Sequence, residues 1–234
     1  MSSEETTEFD KYDASYEQAV DESIAFSGLK VQLFTKAKAD YVLQHLRRHF
    51  GATDRLDLLD VGCGIGTYQH YLAKSVGSTT GVDISRACIE RARRDNPTSK
   101  YEVYDGRALP FASESFDAAY AICVMHHVPP PRWPDFLIEM RRVLRPGGLA
   151  FVFEHNPYNI LTRKAVSSCV FDKDAVLMTA SKAVGLFRDA GLRAVKSRYI
   201  LTIPPIAPWL RSVDRAFARV PIGAQYYVVG EAPV

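Results

Sequence analysis

Three glycines alternate with single residues in Asp57-Leu58-Leu59-Asp60-Val61-Gly62-Cys63-Gly64-Ile65-Gly66-Thr67, directly after an apolar run. Such a run reads as a buried strand. Glycine is needed where backbone must take a positive φ or lie against a ligand with no Cβ between. The segment therefore predicts a strand, a ligand-facing loop and a helix. A dinucleotide fingerprint reads G-x-G-x-x-G, with the pyrophosphate on the helix N-terminus. Here Gly62, Gly64 and Gly66 give G-x-G-x-G. Asp60, two residues before Gly62, would repel a pyrophosphate and suit a ligand that carries an ammonium group. No G-x-x-x-x-G-K-[ST] occurs, which excludes a P-loop.

Asp83 closes a second apolar run, Gly81-Val82-Asp83-Ile84-Ser85. A carboxylate there either caps the next helix or accepts from ribose hydroxyls. Farther on, Met125-His126-His127-Val128 follows the fourth such run, and Glu154-His155-Asn156-Pro157 closes and follows the fifth. Histidines in strand-end loops of an α/β fold lie where ligands bind. They are either structural or a general base that takes a proton from an attacking hydroxyl. His126, His127, His155 and Glu154 are also metal-ligand types, but adjacent histidines rarely converge on one ion, and no metal is expected.

Alternating elements must position these residues. Strands are predicted at 56–61, 78–84, 100–104, 116–124 and 149–155. Helices are predicted at 29–50, about 67–75, from a Ser85 cap to Asp95, 133–144, and about 175–190. Strands separated by helices imply crossover connections, hence a mostly parallel sheet covered on both faces. Two further β-rich runs, Arg193 to Ile203 and Gln225 to Glu231, lack a full crossover helix between them and predict an antiparallel pair at the sheet edge. Between them, Trp209, Leu210, Val213, Phe217 and Val220 mark one helical face, with Arg211, Asp214, Arg215 and Arg219 mostly on the other. That stripe either covers an apolar acceptor, rests on a membrane surface, packs on the sheet edge, or makes a dimer.

The chain has 234 residues, 47% hydrophobic and 24% charged, with 29 basic and 27 acidic residues. That is one globular domain with a near-neutral balance, giving no electrostatic case for nucleic acid. The runs Arg47-Arg48, Arg91 to Arg94 and Arg141-Arg142 read as solvated helix faces. Four scattered cysteines, Cys63, Cys88, Cys123 and Cys169, predict free thiols in a reducing compartment. The polar, acidic start is unlike a signal peptide, and the apolar stretch 199–210 is too short to span a bilayer, so a cytoplasmic location is expected. Phe9, Tyr12, Tyr16 and Phe26 punctuate the acidic N-terminal stretch and predict a lid.

Taken together, Asp60-Val61-Gly62-Cys63-Gly64-Ile65-Gly66, Gly81-Val82-Asp83-Ile84-Ser85 and Leu144-Arg145-Pro146-Gly147-Gly148 resemble three signatures of the class I S-adenosylmethionine-dependent methyltransferases. Asp105-Gly106-Arg107-Ala108-Leu109-Pro110-Phe111, with Ser115-Phe116-Asp117 after it, is similar to that family's adenine-side segment. The resemblance covers about residues 40 to 155. It implies a Rossmann-like, seven-stranded, mostly parallel sheet with an antiparallel last strand and helices on both faces. It implies S-adenosyl-L-methionine as cofactor. Asp60 and the backbone of Gly62, Cys63, Gly64 and Gly66 would hold its methionine end. Asp83 would bind the ribose diol, Ile84 would pack on the adenine, and Asp105 and Gly106 would meet its amino edge. Cys123 and Val124 would line the methionine side, although Cys123 departs from the acidic or polar residue common there. His127, and at the same edge His155, would be the base. Residues 1–50 would form a helical cap, 51–155 the cofactor core, and 156–234 the substrate-side elements and last strands. The expected reaction is O-methylation of a small-molecule, glycan or lipid-linked acceptor by a monomer or homodimer, with peripheral membrane contact open. A non-catalytic S-adenosylmethionine binder and a nicotinamide-dependent oxidoreductase are the alternatives.

Overall fold

The computed structural model describes residues 21–25, 28–207 and 209–234. The aromatic residues Phe9, Tyr12, Tyr16 and Phe26, and the lid expected from them, lie outside these. In chain order the elements are α1 (Val31–Phe50), β1 (Asp57–Val61), α2 (Gln69–Leu72), β2 (Ser78–Asp83), α3 (Arg86–Asp95), β3 (Lys100–Val103) and β4 (Phe116–Ile122). They continue with α4 (Trp133–Arg142), β5 (Leu144–His155), α5 (Ile160–Ser168), α6 (Ala180–Asp189), β6 (Arg193–Ile200), α7 (Leu210–Ala216) and β7 (Gln225–Glu231).

The strands form one sheet in the order β3-β2-β1-β4-β5-β7-β6. β1 pairs in parallel with β2 and β4, and β4 in parallel with β5. β7 runs antiparallel to both β5 and β6. Side chains alternate across the sheet as the pleat requires. Ala119, Ala121, Ala150 and Val152 face a core layer closed by α4 and α6. Ala118, Tyr120, Ile122, Phe151 and Phe153 face the opposite layer, closed by α1. The chain order reverses between β1 and β4, so the crevice at their carboxyl ends is the switch point where such folds bind ligands.

Three boundaries differ from expectation. β5 begins at Leu144, which pairs with Phe116 before a register shift; Arg145 to Gly148 therefore lie within the strand. Gly147 and Gly148 exchange hydrogen bonds with Ala232, so this turn-like sequence is used as an irregular sheet end. α6 starts at Ala180, because the Thr179 side chain caps it by accepting from Lys182 N–H. The helix after the glycine loop is one short α turn, followed by a 3₁₀ turn over Ala73–Ser75. α5, opened by an Asn159 cap, carries no clear apolar stripe and was not expected.

α7 sits at the predicted place but inside out. Asp214 is buried, accepting from the Tyr41 hydroxyl and from the N–H groups of Leu201, Thr202 and Ile203 at 2.8–3.2 Å. Trp209, Val213, Phe217 and Val220 are exposed. The carboxylate anchors the helix, and the apolar face points to solvent.

Candidate active site

The glycine loop leaves β1 with all three glycines at positive φ: 79° for Gly62, 51° for Gly64 and 78° for Gly66. Their reasons differ. A Cβ on Gly62 would sit 2.6 Å from Val124, and one on Gly66 would sit 2.7 Å from the Tyr101 hydroxyl and 2.9 Å from the Asn96 amide. A Cβ on Gly64 would meet nothing within 4 Å. Two of the glycines thus let the loop pack, while Gly64 faces open space.

Four of the loop's N–H groups are used internally. Gly62 and Cys63 N–H both donate to Val82 O, Gly66 N–H donates to Cys63 O, and Gly64 N–H donates to Asp83 Oδ2 at 2.8 Å. A phosphate cradle needs such groups pointing outward. The side chain of Cys63 is buried against Gly81 and its N–H is spent. Its thiol lies 3.6 Å from Gly64 O, so the side chain helps to shape the loop.

Asp60 lies beneath the loop with 1% of its surface exposed, and the Gln69 amide donates to its Oδ2 at 3.0 Å. Burial pushes its carboxyl up to about 8, with Asp83 adding to the rise and Gln69 opposing it. The charge expected at the strand tip is therefore suppressed at neutral pH. Asp83, by contrast, is at the rim: Ser85 N–H donates to its Oδ1 at 2.9 Å, while the Ser85 hydroxyl caps α3 by accepting from Cys88 N–H. The side chain of Ile84 is exposed beside Gly106, whose built Cβ would meet it at 3.1 Å. Asp105 is exposed next to it and turns its own loop, accepting from Arg107 and Ala108 N–H. Asp83, Ile84, Asp105 and Gly106 thus form one rim along the ends of β2 and β3.

The β4 end carries the histidines. Glu154, buried on β5, accepts from Val124 and Met125 N–H through Oε1 and meets His126 Nδ1 through Oε2 at 2.6 Å. Asp172 Oδ1 lies 3.4 Å from both His126 Nε2 and His127 Nε2. These ring nitrogens and the Asp172 oxygen lie within 4.8 Å of one another. Glu154 and Asp172 occupy both nitrogens of His126, and ion pairing accounts for the group. Burial disfavours charge on His126, but Glu154 and Asp172 outweigh it and raise its pKa well above 6.5. His127 moves the other way: burial and the neighbouring His126 charge lower it to about 4.

Cys123, at the tip of β4, has φ 59°, a left-handed conformation that costs a non-glycine residue about 1–3 kcal/mol. Cys123 N–H donates to Phe153 O at 2.8 Å and holds it there. Lys38 Nζ from α1 lies 3.7 Å from the sulfur, and Gln225 Nε2 from β7 lies 3.4 Å from it. His155 is also beside the thiol.

Residues 59–152, which span the loop, the rim and β4, match the family model for the methyltransferase domain. Over these residues the chain is similar to methyltransferase domains, and its fold is that of S-adenosylmethionine-dependent methyltransferases. A 2-methyl-6-phytyl-1,4-hydroquinone methyltransferase of Synechocystis sp. is 37% identical over 131 residues, 53% of this chain and 40% of that protein. A 24-methylenesterol C-methyltransferase of Oryza sativa is 32% identical over 170 residues, covering 65% of this chain and 45% of the relative. The chain thus spans under half the length of these curated relatives. A methyltransferase structure from Thermotoga maritima shares the fold with a TM-score of 0.68 at 20% identity, over 96% of this chain and 97% of its own.

Three residues that the sequence reading passed over, all outside the segment matched by the family model, stand at the site. Lys38 and Gln225 come from elements 85 and 102 residues from Cys123 in the chain. Asp172 ends the segment after α5. No local motif marks any of them; only the sheet order brings them to one edge. No helix among the described residues is long and apolar enough to cross a membrane.

Proposed function

We propose that this chain binds S-adenosylmethionine across the ends of β1, β2 and β4 and methylates an oxygen of a small-molecule, glycan or lipid-linked acceptor with an apolar body. The observation that supports this best is the loop: its N–H groups at 62, 63, 64 and 66 are spent internally, and it opens only at Gly64. Such a surface suits a ligand without phosphates, and argues against a dinucleotide. Bound there, S-adenosylmethionine supplies an electrophilic methyl group for in-line displacement. The chain's own residues orient and exclude water. Asp83 takes the ribose hydroxyls, the Ile84–Gly106 shelf and Asp105 take the adenine, and the loop over Asp60 takes the methionine end. Cys123 and Val124 border the reacting side.

An apolar acceptor is supported by the rim. Among the described residues, nine of the fourteen exposed large apolar side chains fall in 158–161 and 206–222. These segments are joined by hydrogen bonds from Asn159 Nδ2 to Ile222 O and from Thr162 Oγ1 to Ala224 O, both 2.7 Å. Exposed apolar side chains concentrated in two joined segments suit a ligand or membrane contact, and the two relatives are named for a phytyl hydroquinone and a sterol. The test is transfer of labelled methyl from S-adenosylmethionine into a panel of prenylated phenols, sterols and glycosides, with the methyl position read by NMR. Label on oxygen in an apolar product is expected. Label on carbon overturns O-methylation, and no label with any acceptor, despite cofactor binding, favours a non-catalytic binder.

A further inference from the structure

Around Cys123 the structure gathers groups that the cofactor roles leave unused. Lys38 is buried, and its ammonium lies near the sulfur and 5.8 Å from the centre of the Tyr68 ring. Among the described residues no carboxylate pairs with it. Gln225 is 8% exposed; its Nε2 sits between Cys123 Sγ and His155 Nδ1, at 3.4 and 3.3 Å, and its Oε1 has no partner. A buried amide with one end unpaired is costly unless a ligand completes it. The side chains converge from α1, β4, β5 and β7, whereas Cys123 and His155 stay half-exposed at the crevice.

We propose that Lys38, Cys123, His155 and Gln225 form the subsite for the reacting end of the acceptor, that this end is an acidic hydroxyl, a phenol or enol, and that the Cys123 sulfur removes its proton. The inference rests on the methyl-transfer reading above. The thiolate takes the hydroxyl proton, giving a thiol and an oxyanion. The O–H electron pair stays on oxygen, and net charge is unchanged. Lys38, which faced the charged sulfur, then faces the charged oxygen, and the Gln225 Nε2–H that was directed at the sulfur turns to donate to it. The oxyanion is the nucleophile.

Other groups facing the thiol are Glu154 and His126 from the ion-paired cluster, Tyr68 before α2, and Tyr226 on β7. Burial pushes the thiol up and Glu154 adds to that, but Lys38 and His155 outweigh both and bring it to about 7. A phenol, ordinarily near 10, is within reach of such a base once its anion is paired with an ammonium; an aliphatic alcohol is not. This selects the acceptor class.

Two measurements on the full chain test it. Iodoacetamide labelling, mapped by mass spectrometry, is followed against pH. Cys123 is expected to react first among the four cysteines, half-maximally near pH 7, with Lys38→Met shifting that midpoint upward by at least a unit. In parallel, 4-nitrophenol is titrated into the chain saturated with S-adenosylhomocysteine. The yellow anion is expected to bind, nitrobenzene to bind at least tenfold more weakly, and Lys38→Met and Gln225→Leu each to lose tenfold or more of the anion affinity. If Lys38→Met fails to fold, the wild-type preference of anion over nitrobenzene decides alone. A Cys123 that labels no faster than the buried cysteines, or equal binding of the anion and nitrobenzene, overturns the subsite while leaving the cofactor reading intact. Failure to bind S-adenosylhomocysteine at all overturns the methyl-transfer reading itself.

Discussion

The paired substitutions Gly64→Ala and Gly66→Ala separate a ligand-facing glycine from a packing one. Both place a Cβ at positive φ, which costs roughly 1–2 kcal/mol, partly offset by the stiffer unfolded chain at about 0.4–1 kcal/mol. For Gly64 that is the whole cost, since its Cβ meets nothing within 4 Å; a net loss of about 1 kcal/mol lowers Tm by roughly 2–4 °C in a chain of this size. For Gly66 the new methyl strikes the Tyr101 hydroxyl at 2.7 Å and the Asn96 amide at 2.9 Å, adding about 1–3 kcal/mol of overpacking. Binding should rank the other way. The Gly64 methyl enters the space assigned to the methionine end, so affinity for S-adenosylmethionine should fall at least tenfold, about 1.4 kcal/mol. Gly66→Ala, once folded, should bind more nearly like wild type. Urea unfolding and calorimetry read the two quantities independently. Wild-type affinity in Gly64→Ala refutes the reasoning, because the one glycine that opens outward would then face no ligand.

Asp83→Ala should weaken S-adenosylmethionine binding by about 1.5–3 kcal/mol per lost charge-assisted hydrogen bond, and unchanged affinity by calorimetry would remove the ribose assignment. The His126 cluster should give a stability window. The raised His126 stabilises fully below its ordinary 6.5 and is lost as pH climbs through its folded value; the lowered Glu154 and Asp172 stabilise above about 4.5 and are lost as pH falls. The advantage of wild type over His126→Gln in urea unfolding should therefore peak between about pH 4.5 and 6.5, and a flat difference would contradict the ion pairing. Trp209→Ser combined with Phe217→Ser should leave Tm within about 2 °C of wild type, since exposed substitutions usually change stability by under about 0.5 kcal/mol. The same variant should raise the acceptor KM or weaken binding to lipid vesicles; a collapsed fold would return the stripe to the core.

How far the sequence was legible follows from the range over which each signal acts. The β1–loop–α2 and β2–α3 units were readable because glycine spacing, the Ser85 cap and apolar runs are local. The glycine motif did not reveal that only Gly64 faces open space, since that depends on Val124, Tyr101 and Asn96 arriving from elsewhere. α7 was correctly read as amphipathic, but Asp214 turned its polar face inward by capping the 201–203 backbone, which no helical pattern records. Neither did spacing forecast that His126 would be ion-paired on both ring nitrogens, since Glu154 and Asp172 arrive from distant segments. Lys38 and Gln225 were invisible for the same reason.

The most direct test of the methyltransferase reading is calorimetric titration of the purified chain with S-adenosylmethionine and, separately, with NAD. Saturable binding of one equivalent of S-adenosylmethionine, weakened at least tenfold in Gly64→Ala and weakened in Asp83→Ala, with negligible heat from NAD, is the expected result. Binding of NAD in preference to S-adenosylmethionine, or no binding of S-adenosylmethionine by a folded chain, would contradict it.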